Sequence, residues 1–342
     1  MLLAPCSMLP AGRMLSRVAD SIYWMSRYVE RAENVARFIS VNLNLSLDMP
    51  GEAGQQWWPL VVITGDDAQF QERIGTTTKE TVVQFLTFDS DNPNSILSCL
   101  RSARENARSV REIISAEMWE HINKFYLMVR DGGTLEDVLD DPYHFYEKVN
   151  LSGQQFLGVT DATMTHGEPW HFCQLGRMIE RADKTSRILD VKYFILLPKV
   201  ADVGTPYDDV QWLALLRSAS ALEMYRQRHG QISPVNVVNF LVLDTEFPRA
   251  VLHCLTRANE SLHAISGTPP GSFSNSAEQK LGQLRAELAY TQAEEIIASG
   301  LHEFIDDFQR RLNTGGEAIY ESFFAKRPLE AIATQRQSQF IR

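Results

Sequence analysis

Basic residues are the minority in this chain, where 33 Lys and Arg stand against 43 Asp and Glu for a formal charge of −10. With a pI near 5.4, the chain lacks the basic footprint that general binding of nucleic acid or anionic membrane requires. Cysteine is scarce as well. The four present, Cys6, Cys99, Cys173 and Cys254, never approach one another as Cys-x-x-Cys, and no His pair completes a zinc spacing, so free thiols in a reducing compartment are expected. No apolar run nears the ~20 residues of a membrane span. The opening MLLAPCSMLPAGR has no basic segment ahead of a short hydrophobic stretch, which argues against a secretory leader. A cytoplasmic protein that engages neither membrane nor nucleic acid is expected.

Familiar catalytic signatures are missing too. There is no Walker A loop, no Gly-x-Gly-x-x-Gly, no Gly-x-Ser-x-Gly and no His-Glu-x-x-His, which sets aside ordinary nucleotide binding and serine hydrolysis. A di-iron carboxylate bundle needs Glu-x-x-His twice plus two further Glu. Glu260-Ser-Leu-His263 fits, but 155 residues earlier stands Glu105-Asn-Ala-Arg108, where arginine cannot ligate a metal. No metal and no cofactor are expected. Cys99 and Cys254 occupy equivalent apolar helix positions and read as small buried hydrophobes. Glu117 and His121, four residues apart, read as a local hydrogen-bonded pair.

What the chain does have is repetition. RYVERAENVAR at 27–37 is matched 150 positions later by RMIERADKTSR at 177–187, with Arg, Glu, Arg, Ala and Arg in register. VVQFLTFDSDNPNSILSCLRSARE (82–105) and VVNFLVLDTEFPRAVLHCLTRANE (237–260) agree at 11 of 24 positions. Trp57 and Trp212 share that 155-residue shift, so a five-residue change in the loop after the first helix reconciles the two offsets. A period this long means duplicated domains rather than a solenoid. At 342 residues the chain suffices for one large domain or two ordinary ones.

The repeated stretches read as helices. Val18, Ile22, Met25, Val29, Ala32, Ala36, Ile39 and Leu43 alternate four and three residues apart, a bundle seam. Phe172, Leu175, Ile179, Ala182, Ser186, Leu189 and Tyr193 form its second copy. Ile96, Leu100, Ala103, Ala107, Val110 and Ile114 continue the pattern after Pro93, and Pro93 and Pro248 suit the first turn of a helix. WWPLVVITGDD is the one strand-like run. Breaks are expected at 49–54, 130–133, 198–209 and 266–276, the last rich in Gly, Ser and Pro. The expected architecture is all-α: a helical bundle of two tandemly duplicated repeats, 14–160 and 161–325, packed into one unit. Residues 1–13 read as a disordered extension and 326–342 as a flexible tail.

Opposite the first seam lie Tyr23, Arg27, Glu30, Arg31, Asn34, Arg37 and Phe38. Glu30 has Arg27 and Asn34 within reach on its own helix. A third helix carries a similar stripe of Arg104, Glu105, Asn106 and Arg108. One reading makes these stripes solvent faces whose pairs contribute only ~0.3 to 0.5 kcal/mol each. Two features favour a buried or half-buried network between the repeats. Aromatic Tyr23, Trp24 and Phe38 share or border the stripe, and the repetition keeps Arg27/Arg177, Glu30/Glu180, Arg31/Arg181 and Arg37/Arg187, with Asp183 alongside. Such a network either specifies helix packing or presents guanidinium forks to a carboxylate or phosphate.

MLSRVADSIYWMSRYVERAENVARFI, GRMIERADKTSRILD and ARENARSVREIISAEMWE together resemble the bacterial alpha-E family, an all-helical domain with a Glu-Arg motif, commonly in tandem. The resemblance runs from Met14 to about Phe324, with Glu30-Arg31 and Glu180-Arg181 as the Glu-Arg pairs. It implies association with circularly permuted ATP-grasp amide ligases, a transglutaminase-like protein and an N-terminal-nucleophile peptidase, hence a peptide synthesis or modification system. Lys184 stands where the first copy has Asn34, so the two half-sites differ. Three roles remain open: a helical partner of the ligase holding a peptide or carboxylate, an enzyme using Glu30 or Glu180 as acid–base residues on an anionic substrate, and a purely structural Arg–Glu network.

Overall fold

The computed structural model describes residues 14–48, 57–194 and 206–325. The expected N-terminal extension, the C-terminal tail, the break at 49–54 and the 198–205 part of the break at 198–209 lie outside them, whereas 206–209 are helical. The described chain is helical, with no strand among the described residues. The first run of helices is α1 (Ser16–Asp48), α2 (Trp58–Thr64), α3 (Asp67–Arg73), α4 (Lys79–Thr87), α5 (Ile96–Ser109), α6 (Ala116–Asp131), α7 (Leu135–Asp140) and α8 (Pro142–Thr163). The second run is α9 (Glu168–Phe194), α10 (Pro206–Ser218), α11 (Leu222–His229), α12 (Pro234–Val238), α13 (Val251–Ser266), α14 (Ser276–Ala289), α15 (Ala293–Ser299) and α16 (Leu301–Ile319). Wider π turns extend α12 over Asn239–Leu243 and α16 over Tyr320–Phe324.

Local sequence explains these boundaries. Ser95, Ser115, Thr134 and Asn275 sit in extended backbone ahead of α5, α6, α7 and α14 and accept a hydrogen bond from the amide three residues on, satisfying donors a helix start leaves orphaned. The strand-like WWPLVVITGDD forms α2, because Pro59 fits the first turn and Gly65, at φ +82°, closes the helix in the left-handed region that favours glycine. Pro93 and Pro248 are not in first turns as the spacing indicates. They stand ahead of the caps Ser95 and Ala250, and their carbonyls accept the thiols of Cys99 and Cys254 at 3.6 and 3.5 Å.

Two long helices make the centre. At ~1.5 Å per residue α1 is about 50 Å long, and it packs against α5, α8 and α9, while α9 packs against α1, α13 and α16. The two apolar seams are buried, among them Ile22, Met25, Val29, Ala32, Ile179, Ala182 and Leu189. The face of α1 opposite its seam is buried as well: Tyr23, Glu30, Asn34, Arg37 and Phe38 are all inside. A helix enclosed on every side still reads as amphipathic when its polar stripe meets another polar stripe. The 160/161 boundary falls in the last turn of α8. Among the described residues, no helix is long and apolar enough to cross a membrane.

Candidate functional site

The polar stripes of α1 and α9 face each other. Contacts join residues at nearly constant offset, from Met14 N to Glu168 Oε2 at 3.2 Å through Arg31 to Glu180, so the helices run parallel and in register. Gly176 permits their closeness, because a Cβ there would stand 2.3 Å from the carbonyl oxygen of Tyr23. At the crossing each helix contributes a Glu-Arg dipeptide, and the pairs exchange. Arg31 binds Glu180 through Nε to Oε1 at 2.7 Å and Nη2 to Oε2 at 2.9 Å. Arg181 binds Glu30 through Nε to Oε1 and Nη2 to Oε2, both at 2.8 Å. Both are two-pronged fork-to-carboxylate contacts, the geometry in which arginine surpasses lysine.

Each glutamate also has a second cation, from a different place. Glu180 receives Arg27 Nε at 2.9 Å, whereas Glu30 receives Nη1 of Arg249 at 2.8 Å. Arg249 also reaches Glu33 at 2.7 Å and Asn34 at 3.3 Å. At the position 155 residues earlier stands Asn94, whose Oδ1 accepts from Arg31 at 2.7 Å and whose amide donates to Asp66 at 2.6 Å. The turn before α5 and the turn before α13 therefore both clamp the crossing, one with an amide and one with a guanidinium. Asn34 donates to Glu30 Oε1 at 3.2 Å as its spacing indicates, but Arg27 leaves Glu30 and crosses to Glu180.

Glu30 and Glu180 are 1% and 0% exposed. Burial alone would push both carboxyls up, yet Arg181 with Arg249, and Arg31 with Arg27, hold them well below the usual carboxylate range. Arg37 and Arg177 go the other way. Burial, reinforced by Arg249, brings Arg37 down to about 10, although it pairs with Glu33. Burial, reinforced by Arg181, brings Arg177 to about 10; it bonds Gln174, and its Nε finds no acceptor among the described residues. Asp183 lies one turn beyond the crossing, paired with Lys184 at 3.3 Å and Arg187 at 3.0 Å.

Arg104, Glu105, Asn106 and Arg108 stay out of this network. They lie on the outer side of α5, where Arg104 bonds Asn123 of α6 at 2.7 Å and Glu105 at 3.0 Å, and Arg108 is 63% exposed. His121 bonds the carbonyl of Ser152 at 2.7 Å rather than Glu117. The residues that sequence reasoning missed are Arg249, Glu33, Asn94 and Asp66. Arg249 and Asn94 follow the two anchor prolines, so the aligned anchors carried a signal for them. The thiols of Cys99, Cys173 and Cys254 are free, buried and pushed by burial to about 12, 11 and 12, which suppresses the nucleophilic thiolate. Among the described residues, no three His, Cys, Asp or Glu converge as metal ligands.

The network opens to solvent at one side, a cleft of about 500 Å³ between α1, α9 and α16 that Arg27 and Asp183 border. A family model described as a predicted alpha-helical domain with a conserved ER motif matches residues 14–324. The chain belongs to the Alpha-E family. Glu30-Arg31 and Glu180-Arg181 fit that description of its motif. The chain is similar to uncharacterised proteins of Mycobacterium bovis and Mycobacterium tuberculosis strain CDC 1551, each 24% identical over 313 residues, and of M. tuberculosis strain H37Rv at 23%. The alignments cover 83% of this chain and 34% of each relative, so the chain spans about a third of the length of the curated relatives it matches. No solved structure matches this Alpha-E chain.

Proposed function

We propose that this Alpha-E chain is a non-catalytic helical scaffold, built by tandem duplication, that serves an ATP-grasp-type amide ligase in a bacterial peptide synthesis or modification system and holds a peptide or carboxylate substrate for it. The observation that carries the non-catalytic part is the state of the two motif glutamates. Each is enclosed, gripped by two arginines and held ionised by them, so neither is accessible to a substrate nor poised to trade protons near neutral pH. Acid–base work would need a carboxyl whose pKa is raised toward neutrality, and here the shift runs the opposite way. The Glu-Arg crossing instead sets the distance and register of α1 and α9, and so shapes the cleft beside it.

Two further observations support the reading. The mycobacterial relatives carry the matching region within chains about three times as long, an arrangement suited to a unit that works beside other polypeptide. The helices before and after Gly167 recur in one order, α1 with α9, α5 with α13, α6 with α14 and α8 with α16, and pack with corresponding neighbours, which supports duplication. The ATP-grasp ligase should co-purify with the intact chain, and the chain alone should turn over no peptide, amino acid or acyl phosphate. Turnover by the chain alone, abolished in Glu180→Gln, would overturn the proposal.

A further inference from the structure

The two halves of the network are closed unequally. In the first, α8 lies so tight on α1 that a Cβ at Gly153 would meet Glu33 Cγ at 2.8 Å, and Glu33 is buried. In the second, α16 packs on α9 but leaves room at Gly316, which has nothing within 4 Å of its would-be Cβ, and the cleft of about 500 Å³ remains. That size is in the range of small-molecule sites, and the lining mixes apolar side chains with Arg27, Asp183, Asn313 and Glu317. Ile179 and Leu312 make apolar parts of its lining, and Tyr23, Trp24, Tyr320 and Phe324 make aromatic ones.

Its polar chemistry favours an anion over a cation. Arg27 spends Nε on Glu180 and Nη1 on the Tyr23 hydroxyl at 3.3 Å, so its Nη2 keeps no acceptor among the described residues. Tyr23 accepts that bond and retains its own hydroxyl proton to donate. The face of Trp24, which would otherwise attract a ligand cation, already carries the Arg27 guanidinium 4.7 Å from its centroid. Asp183 is neutralised by Lys184 and Arg187. Glu317 is exposed on the rim, where it can accept from an amide or ammonium N–H but cannot line the floor.

We infer that this cleft binds a free carboxylate attached to an apolar or aromatic side chain, the carboxylate on Arg27 Nη2 and the Tyr23 hydroxyl, the side chain among Trp24, Tyr320 and Phe324. This deepens the substrate-holding part of the proposed function and rests on it. A peptide C-terminus and a free amino acid share the chemistry. Isothermal titration of the full chain with phenylalanine, Gly-Gly-Phe and Gly-Gly-Phe amide separates them. At least one free carboxylate should bind, and the amide should bind at least tenfold more weakly, since it gives up a charge-assisted contact. Tighter binding of the tripeptide assigns a peptide end, and tighter binding of phenylalanine assigns a free amino acid.

Arg27 belongs to the buried network, so the blocking variant is Gly316→Leu, which fills open space on a helix and should keep the melting temperature of the parent. It should weaken carboxylate binding at least tenfold, and Tyr320→Ala, at a residue 56% exposed, should weaken it severalfold. No binding of either carboxylate, equal binding of the amide, or full binding by Gly316→Leu would overturn the assignment. Carboxylate binding without ligase co-purification would overturn the partner reading alone, and co-purification without carboxylate binding would overturn the cleft alone.

Discussion

Residues 27–37 of α1 and 101–108 of α5 read alike as sequence: arginines and glutamates three and four apart, with an asparagine among them. In the fold they are opposites. The α1 stripe meets its counterpart on α9 and disappears inside, with Glu30 1% exposed, while the α5 stripe faces outward, with Arg108 63% exposed. The α5 pairs are local, as Arg108 to Glu105 shows. The Glu-Arg motif pairs of α1 span about 150 residues, as Arg31 to Glu180 shows, even though Arg37 pairs locally with Glu33. The difference teaches that a charged stripe declares its role through its partner, not through its own spacing. A wet pair exchanges water for a neighbour at little net gain, whereas a buried pair makes each partner indispensable to the other.

Substitutions can break this comparison. The largest effect is expected from Glu180→Ala, which leaves the half-buried Arg27 and Arg31 without their shared carboxylate and should cost about 3 kcal/mol in urea unfolding. Acid should come next. Glu30 and Glu180 are held below their ordinary value of 4.5, so the stability they contribute is complete above that pH and is lost as pH falls below it toward the folded-state values. Melting temperature should therefore drop steeply below about pH 4.5, and less steeply in Glu180→Gln, which has one such carboxyl fewer.

Gly176→Ala should follow. Its methyl group would press on the Tyr23 carbonyl, a backbone atom that cannot swing aside, and overpacking of this kind costs about 1–3 kcal/mol. The smallest effect belongs to the wet stripe: Arg108→Ala should change stability by no more than about 0.5 kcal/mol, because an exposed pair contributes little. A loss at Arg108 equal to that at Glu180 would erase the contrast between the stripes.

The helices were legible because their seams are strictly periodic, and Val29, Ala32, Ala36 and Ile39 are buried where the spacing places them. The motif residues were legible because they recur at a fixed offset. The pairing was not. Arg27 sits three residues before Glu30 and yet binds Glu180, because α9 lies closer to its guanidinium than the spacing on one helix can reveal. Arg249 was hidden for a similar reason: a lone arginine after a proline has no helical neighbours to mark it, and only the fold carries the turn before α13 to Glu30 and Glu33. Pro93 and Pro248 misled slightly, since a proline two residues ahead of a cap reads the same as one in the first turn. The cleft was invisible to sequence because it arises from the room α16 leaves at Gly316, where the corresponding helix α8 closes down at Gly153.

The crossed Glu-Arg pairs join α1 to α9. A double-mutant cycle on Arg31 and Glu180 measures this most directly, with Arg31→Ala, Glu180→Ala and the double variant followed by urea unfolding. Contacting residues in one ionic network couple by ~0.5–3 kcal/mol, and these two, joined by two prongs with Glu180 fully buried, should fall in the upper half of that range. Losses that add to within about 0.3 kcal/mol would mean that the two side chains do not support one another, and would contradict the central claim.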